Sequence, residues 1–185
     1  MKKSFDSGII TPHPVLIIGT YNEDGTPNAM NAAWGGQIGR GLISISLGEH
    51  LSTDNLRRNK EFTVAFATEK MLAACDYVGL VSGNKVPDKL ANCGLTVTKS
   101  DKVNAPVIDQ LPVTIECRML EMQEEFGEQR VVAEIVGMKA DEDVLTDDKV
   151  DLGKLGLVVY DTVAKCYRTV GANVGGAWNA GKIFG

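Results

Sequence analysis

The fold of this chain is decided by three consecutive segments, Pro14-Val-Leu-Ile-Ile-Gly-Thr20, Tyr21-Asn-Glu-Asp-Gly-Thr-Pro27 and Asn28-Ala-Met-Asn-Ala-Ala-Trp34. The first is an apolar strand pattern, the second is rich in turn-forming residues, and the third carries small side chains. We expect a β-hairpin whose return strand has a readily approached backbone. A flat heteroaromatic ligand can lie against such a strand, with Trp34 closing one side of the site.

Size and charge restrict the class of protein. The chain has 185 residues, of which 44% are hydrophobic and 23% are charged, and these values predict one globular domain over residues 1–185. A net charge of -5 and a pI near 5.1 argue against a nucleic-acid or anionic-membrane partner. A bound anion would therefore need a local site.

Neither a signal-peptide pattern nor a long apolar run occurs in the sequence, so we expect a soluble, cytoplasmic protein. The two histidines, His13 and His50, are not at metal-ligand spacing, and we expect no metal site. The cysteines form no Cys-x-x-Cys motif and are expected to be free, buried or half-buried thiols: Cys75, Cys93, Cys117 and Cys166.

Short strand patterns separated by turn residues dominate the chain. The first are predicted at residues 15–20, 29–34, 42–47 and 62–67. Later strands are predicted as a long hairpin, with Val113, Ile115, Cys117 and Met119 facing Val131, Ala133 and Ile135 across a turn at 125–129, and as a last pair at 155–160 and 165–170. Helices are predicted at 52–60, which opens with the capping residue Ser52, at 70–81 and at 88–92.

An antiparallel sheet of many short strands leaves unpaired edges unless it closes. We therefore predict a mainly β fold, a closed antiparallel Greek-key split β-barrel with short helical insertions.

With these segments in place, the chain resembles the flavin reductase-like, FMN-binding split-barrel family, and within it the flavoredoxin branch. The resemblance covers residues 11–171 and rests on an ordered set of motifs. These are Pro14 to Thr20, Gly25 to Trp34, Leu51-Ser-Thr-Asp-Asn-Leu-Arg57 with Glu61-Phe62, Ser82-Gly83 before Asp88-Lys89, Ala105-Pro106, Ile115-Glu-Cys117, and Tyr167 to Gly171.

The resemblance implies a homodimer that binds FMN near the subunit interface. By the family pattern, Asn31, Ala32, Ala33 and Trp34 face the isoalloxazine ring. The residues implied around the ribityl phosphate are Ser52, Thr53, Asn55, Arg57, Ser82, Gly83 and Lys89. Physical chemistry agrees, because a helix N-terminus and a Ser-Gly turn present backbone amides to an anion and the cations add charge-assisted contacts.

Two departures from the family pattern bear on activity. Asn31 stands where many members have Thr or Ser, and Gly127-Glu128-Gln129 stands where Gly-Asp-His is common at the hairpin turn. The missing histidine removes a titratable group from a position near the flavin or nicotinamide.

The favoured hypothesis is an FMN-dependent oxidoreductase in which NAD(P)H reduces the flavin, which then passes electrons to a free flavin or a redox protein. It names no side chain as a catalytic acid or base, since the cofactor carries the chemistry. The alternatives are a flavoredoxin-like electron-transfer protein without its own NAD(P)H site, and a heme or pyridoxal enzyme on a related barrel. The spectrum of the bound cofactor distinguishes the last of these.

Overall fold

The computed structural model describes residues 2–184. In chain order the strands are β1 (His13–Pro14), β2 (Leu16–Tyr21), β3 (Pro27–Ala32), β4 (Gly35–Gly39), β5 (Leu42–Leu47), β6 (Glu61–Phe66), β7 (Val97–Lys99), β8 (Pro106–Ile108), β9 (Val113–Glu125), β10 (Glu128–Ala140), β11 (Leu145–Thr146), β12 (Lys149–Val150), β13 (Val158–Asp161) and β14 (Cys166–Thr169). The α-helices are α1 (Leu51–Asn59), α2 (Leu72–Leu80), α3 (Lys89–Asn92) and α4 (Leu152–Leu155). Short 3₁₀ turns cover Glu142–Val144 and Ala180–Phe184.

Seven strands form the main sheet in the order β3-β2-β6-β9-β10-β5-β4, with every pair antiparallel. The two strands at its ends, β3 and β4, are consecutive in the chain and are joined only by Ala33 and Trp34. Such a connection holds the end of β3 within about 11 Å of the start of β4, so the sheet curls and brings its two end strands near each other. The predicted mainly β class is confirmed.

The interior of the curl is filled by apolar side chains from six strands and one helix. The buried cluster there consists of Leu16, Ile18, Ala32, Ile43, Ile45, Leu47, Leu56, Phe62, Val64, Cys117, Val131 and Ala133. Leu56 comes from α1, and this helix is therefore packed on the main sheet by its one buried apolar side chain.

A second cluster lies on the outer face of β2 and β6, because residues alternate between the two faces of a strand. Ile17 and Ala65, which are paired across these strands, pack there with Ala74, Cys75 and Val78 of α2. Helix α2 is thereby held against the sheet beside β3, and it supplies one wall of the candidate site.

Most predicted elements are present, with shifts at their ends. The strand predicted at 42–47 matches β5, whereas the strand predicted at 29–34 ends at Ala32 because the chain turns at Ala33, whose carbonyl accepts from the Gly35 amide at 3.1 Å. Helix α1 begins at Leu51, so Ser52 lies inside the first turn and the capping position falls on His50, which makes no side-chain capping bond. Over residues 2–184, no helix combines the length and apolarity needed to span a bilayer.

Candidate functional site

One cavity lies where β3, the start of α1, the end of α2 and the loop after α2 meet. Its volume is about 270 Å³, and it is lined by Asn28, Met30, Asn31, His50, Leu51, Ser52, Val78, Gly79, Leu80, Val81, Ser82, Gly83 and Lys89. Five of the predicted site residues are in this set: Asn31, Ser52, Ser82, Gly83 and Lys89. The fold therefore brings together side chains that are up to 58 positions apart in the chain.

The cavity floor is fixed by a buried contact between β3 and α1. The side-chain amide of Asn28 donates to Ser52 Oγ at 2.8 Å, and both residues are buried. Gly83 lies directly above this pair, since a Cβ atom at Gly83 would come within 2.6 Å of Asn28 Oδ1 and 2.7 Å of Leu51 Cδ2. Only glycine fits here without moving the cavity wall.

The start of α1 supplies unpaired backbone N–H donors to the cavity floor. The amide of Asp54 is the first to donate within the helix, to the carbonyl of His50 at 3.1 Å. The amides of the preceding helical residues, Leu51 to Thr53, consequently have no intrahelical acceptor, and the helix dipole adds partial positive charge. Leu51 and Ser52 line the cavity, so this end of it is suited to an anion.

Lys89 is the cation of the site, and it is only 3% exposed. Its ammonium donates to the carbonyl oxygens of Val78 at 2.9 Å and Val81 at 3.2 Å, at the C-terminal end of α2. Burial lowers the pKa of Lys89 to about 8. An ammonium has three donors, and two are used by carbonyls, which leaves one for an anion in the cavity.

Asn31 and α2 are in close contact at the other wall. The Asn31 amide donates to the carbonyl of Cys75 at 3.3 Å. A Cβ atom at Gly79 would come within 2.1 Å of Asn31 Oδ1, so this glycine allows the helix to approach β3. Gly79 was not among the predicted site residues, because nothing in the local sequence shows which strand a helical glycine faces.

Asn28 and His50 are further cavity residues that the sequence analysis did not single out as ligands. Asn28 follows the hairpin turn and is indistinguishable by sequence from an ordinary turn residue. His50 is exposed and lines the cavity mouth from the capping position of α1.

Three predicted phosphate residues on α1 lie outside the cavity lining. Thr53 is buried and donates from its hydroxyl to the carbonyl of Gly48 at 2.7 Å. Arg57 is on the outer face, where its guanidinium contacts Glu49 at 2.5 Å and Asp54 at 2.9 Å. These contacts are structural, and a direct phosphate contact by either residue stays a prediction.

Asn55 is the third of these residues, and it is fully buried in a hydrogen-bond network that joins α1 to β2. Its amide donates to Thr20 Oγ1 at 3.0 Å and to Asn22 Oδ1 at 2.8 Å, and its carbonyl oxygen accepts from Arg58 at 2.6 Å. All of its polar atoms are therefore used within the protein.

We expect Asn55→Ala to lower the free energy of unfolding by about 2–3 kcal/mol, since buried partners lose their hydrogen bonds. Urea denaturation measures this loss. Arg57→Ala is the matched control on the same helix and should cost less than about 1 kcal/mol, because its ion pairs are exposed. Full stability of Asn55→Ala together with weakened FMN binding would instead make Asn55 a cofactor ligand.

The residues predicted to face a flat ring continue along β3 from the cavity. Ala32 is buried in the apolar cluster of the main sheet, Ala33 is half-buried, and Trp34 is 53% exposed. The indole of Trp34 is held by the imidazole of His13, edge to face, with ring centroids 4.6 Å apart. Trp34 also lines a shallow groove on the outside of β4 and the hairpin tip.

The cysteines are free, as predicted: Cys75 and Cys117 are buried, and Cys93 and Cys166 are half-buried. Burial raises the pKa of the Cys75 thiol to about 11 and that of Cys117 to about 12. Both therefore remain thiols at neutral pH, and neither is activated as a nucleophile.

Comparison with known proteins agrees with this fold. Residues 8–163 match the model of the flavin reductase like domain. The chain is 32% identical to flavoredoxin of Desulfovibrio vulgaris (Miyazaki F), with a TM-score of 0.91 over 98% of this chain and 100% of that one. It is 27% identical to flavoredoxin from Methanosarcina acetivorans, with a TM-score of 0.89 over 100% of this chain and 98% of that one.

The fold alone is shared with a putative flavin reductase with a split barrel domain from Shewanella frigidimarina NCIMB 400. That protein is 20% identical, with a TM-score of 0.78 over 90% of this chain and 87% of the other. No curated protein matches the chain. The family match spans most of the sequence and the flavoredoxin likeness spans nearly all of it, so the chain belongs to the flavin reductase-like domain family.

Proposed function

We propose that this protein is an FMN-binding oxidoreductase that takes electrons from NAD(P)H and passes them to a free flavin or a redox protein. The observation that carries this proposal is the cavity. It combines buried Lys89, the amides at the start of α1, and Gly83, where the lack of a side chain leaves the cavity open. These are the donors that a phosphate monoester requires. Membership of the flavin reductase-like family supports FMN as the cofactor.

The shape of the site fits FMN in two parts. At about 270 Å³ the cavity is slightly smaller than ordinary ligand sites, which suits a phosphate and part of a ribityl chain but not the whole of FMN. The ring would lie outside it, along Asn31 to Trp34, where small side chains stand at Ala32, the last residue of β3, and at Ala33 after it. Bound FMN supplies the chemistry, accepting a hydride from a nicotinamide and releasing electrons to an acceptor.

In this proposal, the residues of this chain bind FMN and orient it. Lys89 and the backbone amides of Leu51 and Ser52 would hold the phosphate, and the amides of Ser82 and Gly83 would cover it. Asn31, fixed to the carbonyl of Cys75, would present its polar side chain to the ribityl or ring end. Amide donors near ring atoms N1 and O2 would stabilise negative charge on the reduced ring.

We further infer that the sheet closes as a split barrel and that two chains form a homodimer around the flavin sites, in a reducing cytoplasmic setting. The four free thiols support the last of these points. Trp34 and Ile38 are exposed apolar side chains near the place proposed for the ring. They support the homodimer, because a second chain would cover them.

The second candidate is an electron-transfer flavoprotein that lacks its own NAD(P)H site. It is favoured by the hairpin turn, where Gly127-Glu128-Gln129 carries no histidine, and by the likeness to flavoredoxins. The exposed Phe126 at the tip of this hairpin would then be a contact for a redox partner.

Anaerobic stopped-flow mixing of the FMN-loaded protein with NADH or NADPH separates the two functions. Rapid loss of the yellow flavin absorbance, faster than with free FMN at the same concentration, supports the oxidoreductase. Reduction no faster than that of free FMN supports the electron-transfer protein. Failure of the purified protein to bind added FMN at all would reject both.

A further inference from the structure

The C-terminal tail, residues 171–184, is exposed at every described position. Its hydrogen bonds join residues within the tail itself, such as Ala180 N to the carbonyl of Gly176 at 3.0 Å. The last bond at its base runs from Val170 N to the carbonyl of Leu157 at 3.2 Å. The tail therefore leaves its own domain after β14.

The tail exposes large apolar side chains to solvent, which is unfavourable. Four large side chains on it are nearly fully exposed: Val174 at 100%, Trp178 at 97%, Ile183 at 81% and Phe184 at 90%. Single exposed apolar residues are ordinary, but four large ones within eleven residues of one exposed segment indicate a binding segment.

A complementary groove lies on the outside of β4 and the β9–β10 hairpin tip. Its volume is about 490 Å³ and its apolar lining includes Trp34, Ile38 and Phe126, which are 53%, 59% and 106% exposed. Glu128 on its rim has no ion pair among residues 2–184, whereas the neighbouring Glu125 is paired with Arg130 at 2.9 Å.

We propose that the tail of one chain packs onto a second copy of the chain, with Trp178 in the groove beside the partner's Trp34. Lys182, the one charged side chain of residues 171–184, then meets the free carboxylate of Glu128 on the partner. A two-fold axis makes the exchange reciprocal, so each chain both gives and receives a tail.

The dimensions permit this exchange. Fourteen residues in extended form reach about 45 Å, which is enough to cross from one domain to the next. Two tails contribute four aromatic side chains, and at about 150–250 Å² each they supply roughly half of the buried area of an ordinary stable interface.

The groove adjoins the cavity through Gly48. A Cβ atom placed there would lie 3.4 Å from His50 Nε2, at the cavity mouth, and 3.7 Å from Glu128 Oε2, on the groove rim. A tail in the groove therefore lies next to His50 at the edge of the proposed FMN site, and we infer that it shields the bound cofactor; this part of the inference rests on the proposed function.

Tryptophan fluorescence tests the packing independently of FMN. The chain has two tryptophans, so Trp34→Phe leaves Trp178 as the sole reporter and keeps an aromatic ring in the groove. We expect a blue-shifted emission that resists acrylamide quenching in the dimer and shifts to the red on dilution. Emission of a fully exposed indole from a protein that sediments as a dimer would overturn the proposal.

Mixing two defective chains tests the location of the tail. The first ends at Val170 and keeps its cavity, and the second carries Gly83→Val and keeps its tail. Each alone should bind FMN at least about tenfold more weakly than the full chain, while mixed dimers should regain one tight site per two chains.

Two results of this experiment overturn the inference: tight FMN binding by the truncated chain alone, or no recovery in mixed dimers shown to form. The second result would mean that each tail folds back on its own chain. Absence of FMN binding by the full-length chain would reject the proposed function instead, and the fluorescence measurement would still decide whether the tail is exchanged.

Discussion

Gly83→Val should reduce the affinity for FMN by at least about 100-fold, which corresponds to about 2.7 kcal/mol of binding free energy. The reason is steric, since a Cβ atom there already overlaps Asn28 Oδ1 at 2.6 Å and Leu51 Cδ2 at 2.7 Å. The added methyl groups would occupy the space above the Asn28–Ser52 contact, where the phosphate is proposed to bind. Flavin fluorescence quenching during titration measures the dissociation constant.

The matched control is Gly39→Val on the edge strand β4. A Cβ atom at Gly39 meets only Leu42 Cδ1, at 3.9 Å, so the same substitution there adds volume without a clash. Circular dichroism and thermal melting of both variants check that the fold is intact. If Gly83→Val binds FMN as well as the unmodified protein does, the phosphate does not lie in this cavity.

The sequence predicted the strands of the main sheet well where apolar side chains alternate with small or polar ones. Residues 42–47 are an example, because Ile43, Ile45 and Leu47 are buried in the core and the residues between them are not. Strand β4 was not predicted at all. Its sequence, Gly35-Gly-Gln-Ile-Gly39, has little intrinsic strand preference, and it is held in place by pairing with β5.

Part of the candidate site could be predicted, because some of its residues carry local sequence signals. Ser52, Ser82, Gly83 and Lys89 were found because a helix start, a Ser-Gly turn and a cation are local signals that the family resemblance placed in order. Gly79 and Asn28 were missed because their roles depend on which elements pack together. Asn55 and Arg57 carry the same local signals, but tertiary packing directs one into the α1–β2 network and the other to solvent-exposed acids.

Lys89→Met should lower the affinity for FMN about 30- to 100-fold at pH 7 and leave the affinity for riboflavin within about threefold, because only FMN carries the phosphate. The ratio of the two dissociation constants isolates the charge contact from effects on ring binding. Lys85→Met is the matched control, since Lys85 is exposed on the loop after α2 and gives the same change in net charge. A variant that loses FMN and riboflavin equally would show that Lys89 shapes the cavity and does not contact the phosphate.

The pH dependence of FMN binding is a second test of the contact between the Lys89 ammonium and the phosphate. Burial lowers the pKa of Lys89 to about 8 in the free protein, and a bound phosphate favours the charged form. FMN affinity should therefore be highest below pH 8 and should fall as the pH rises above it, relative to riboflavin. Lys89→Met should remove this difference, because it has no proton to lose.

The free energy of unfolding of the FMN-free protein should rise with pH, whereas the FMN affinity falls. The unfolded chain keeps the Lys89 proton up to the ordinary pKa near 10.5, whereas the folded chain loses it near 8, so the unfolded state binds more protons between these values. The free energy of unfolding should accordingly gain up to about 3 kcal/mol from this residue between pH 8 and 10.5. Urea denaturation of the unmodified and Lys89→Met proteins across this range isolates that gain. Equal slopes for the two proteins would show that the Lys89 ammonium is not desolvated in the folded state.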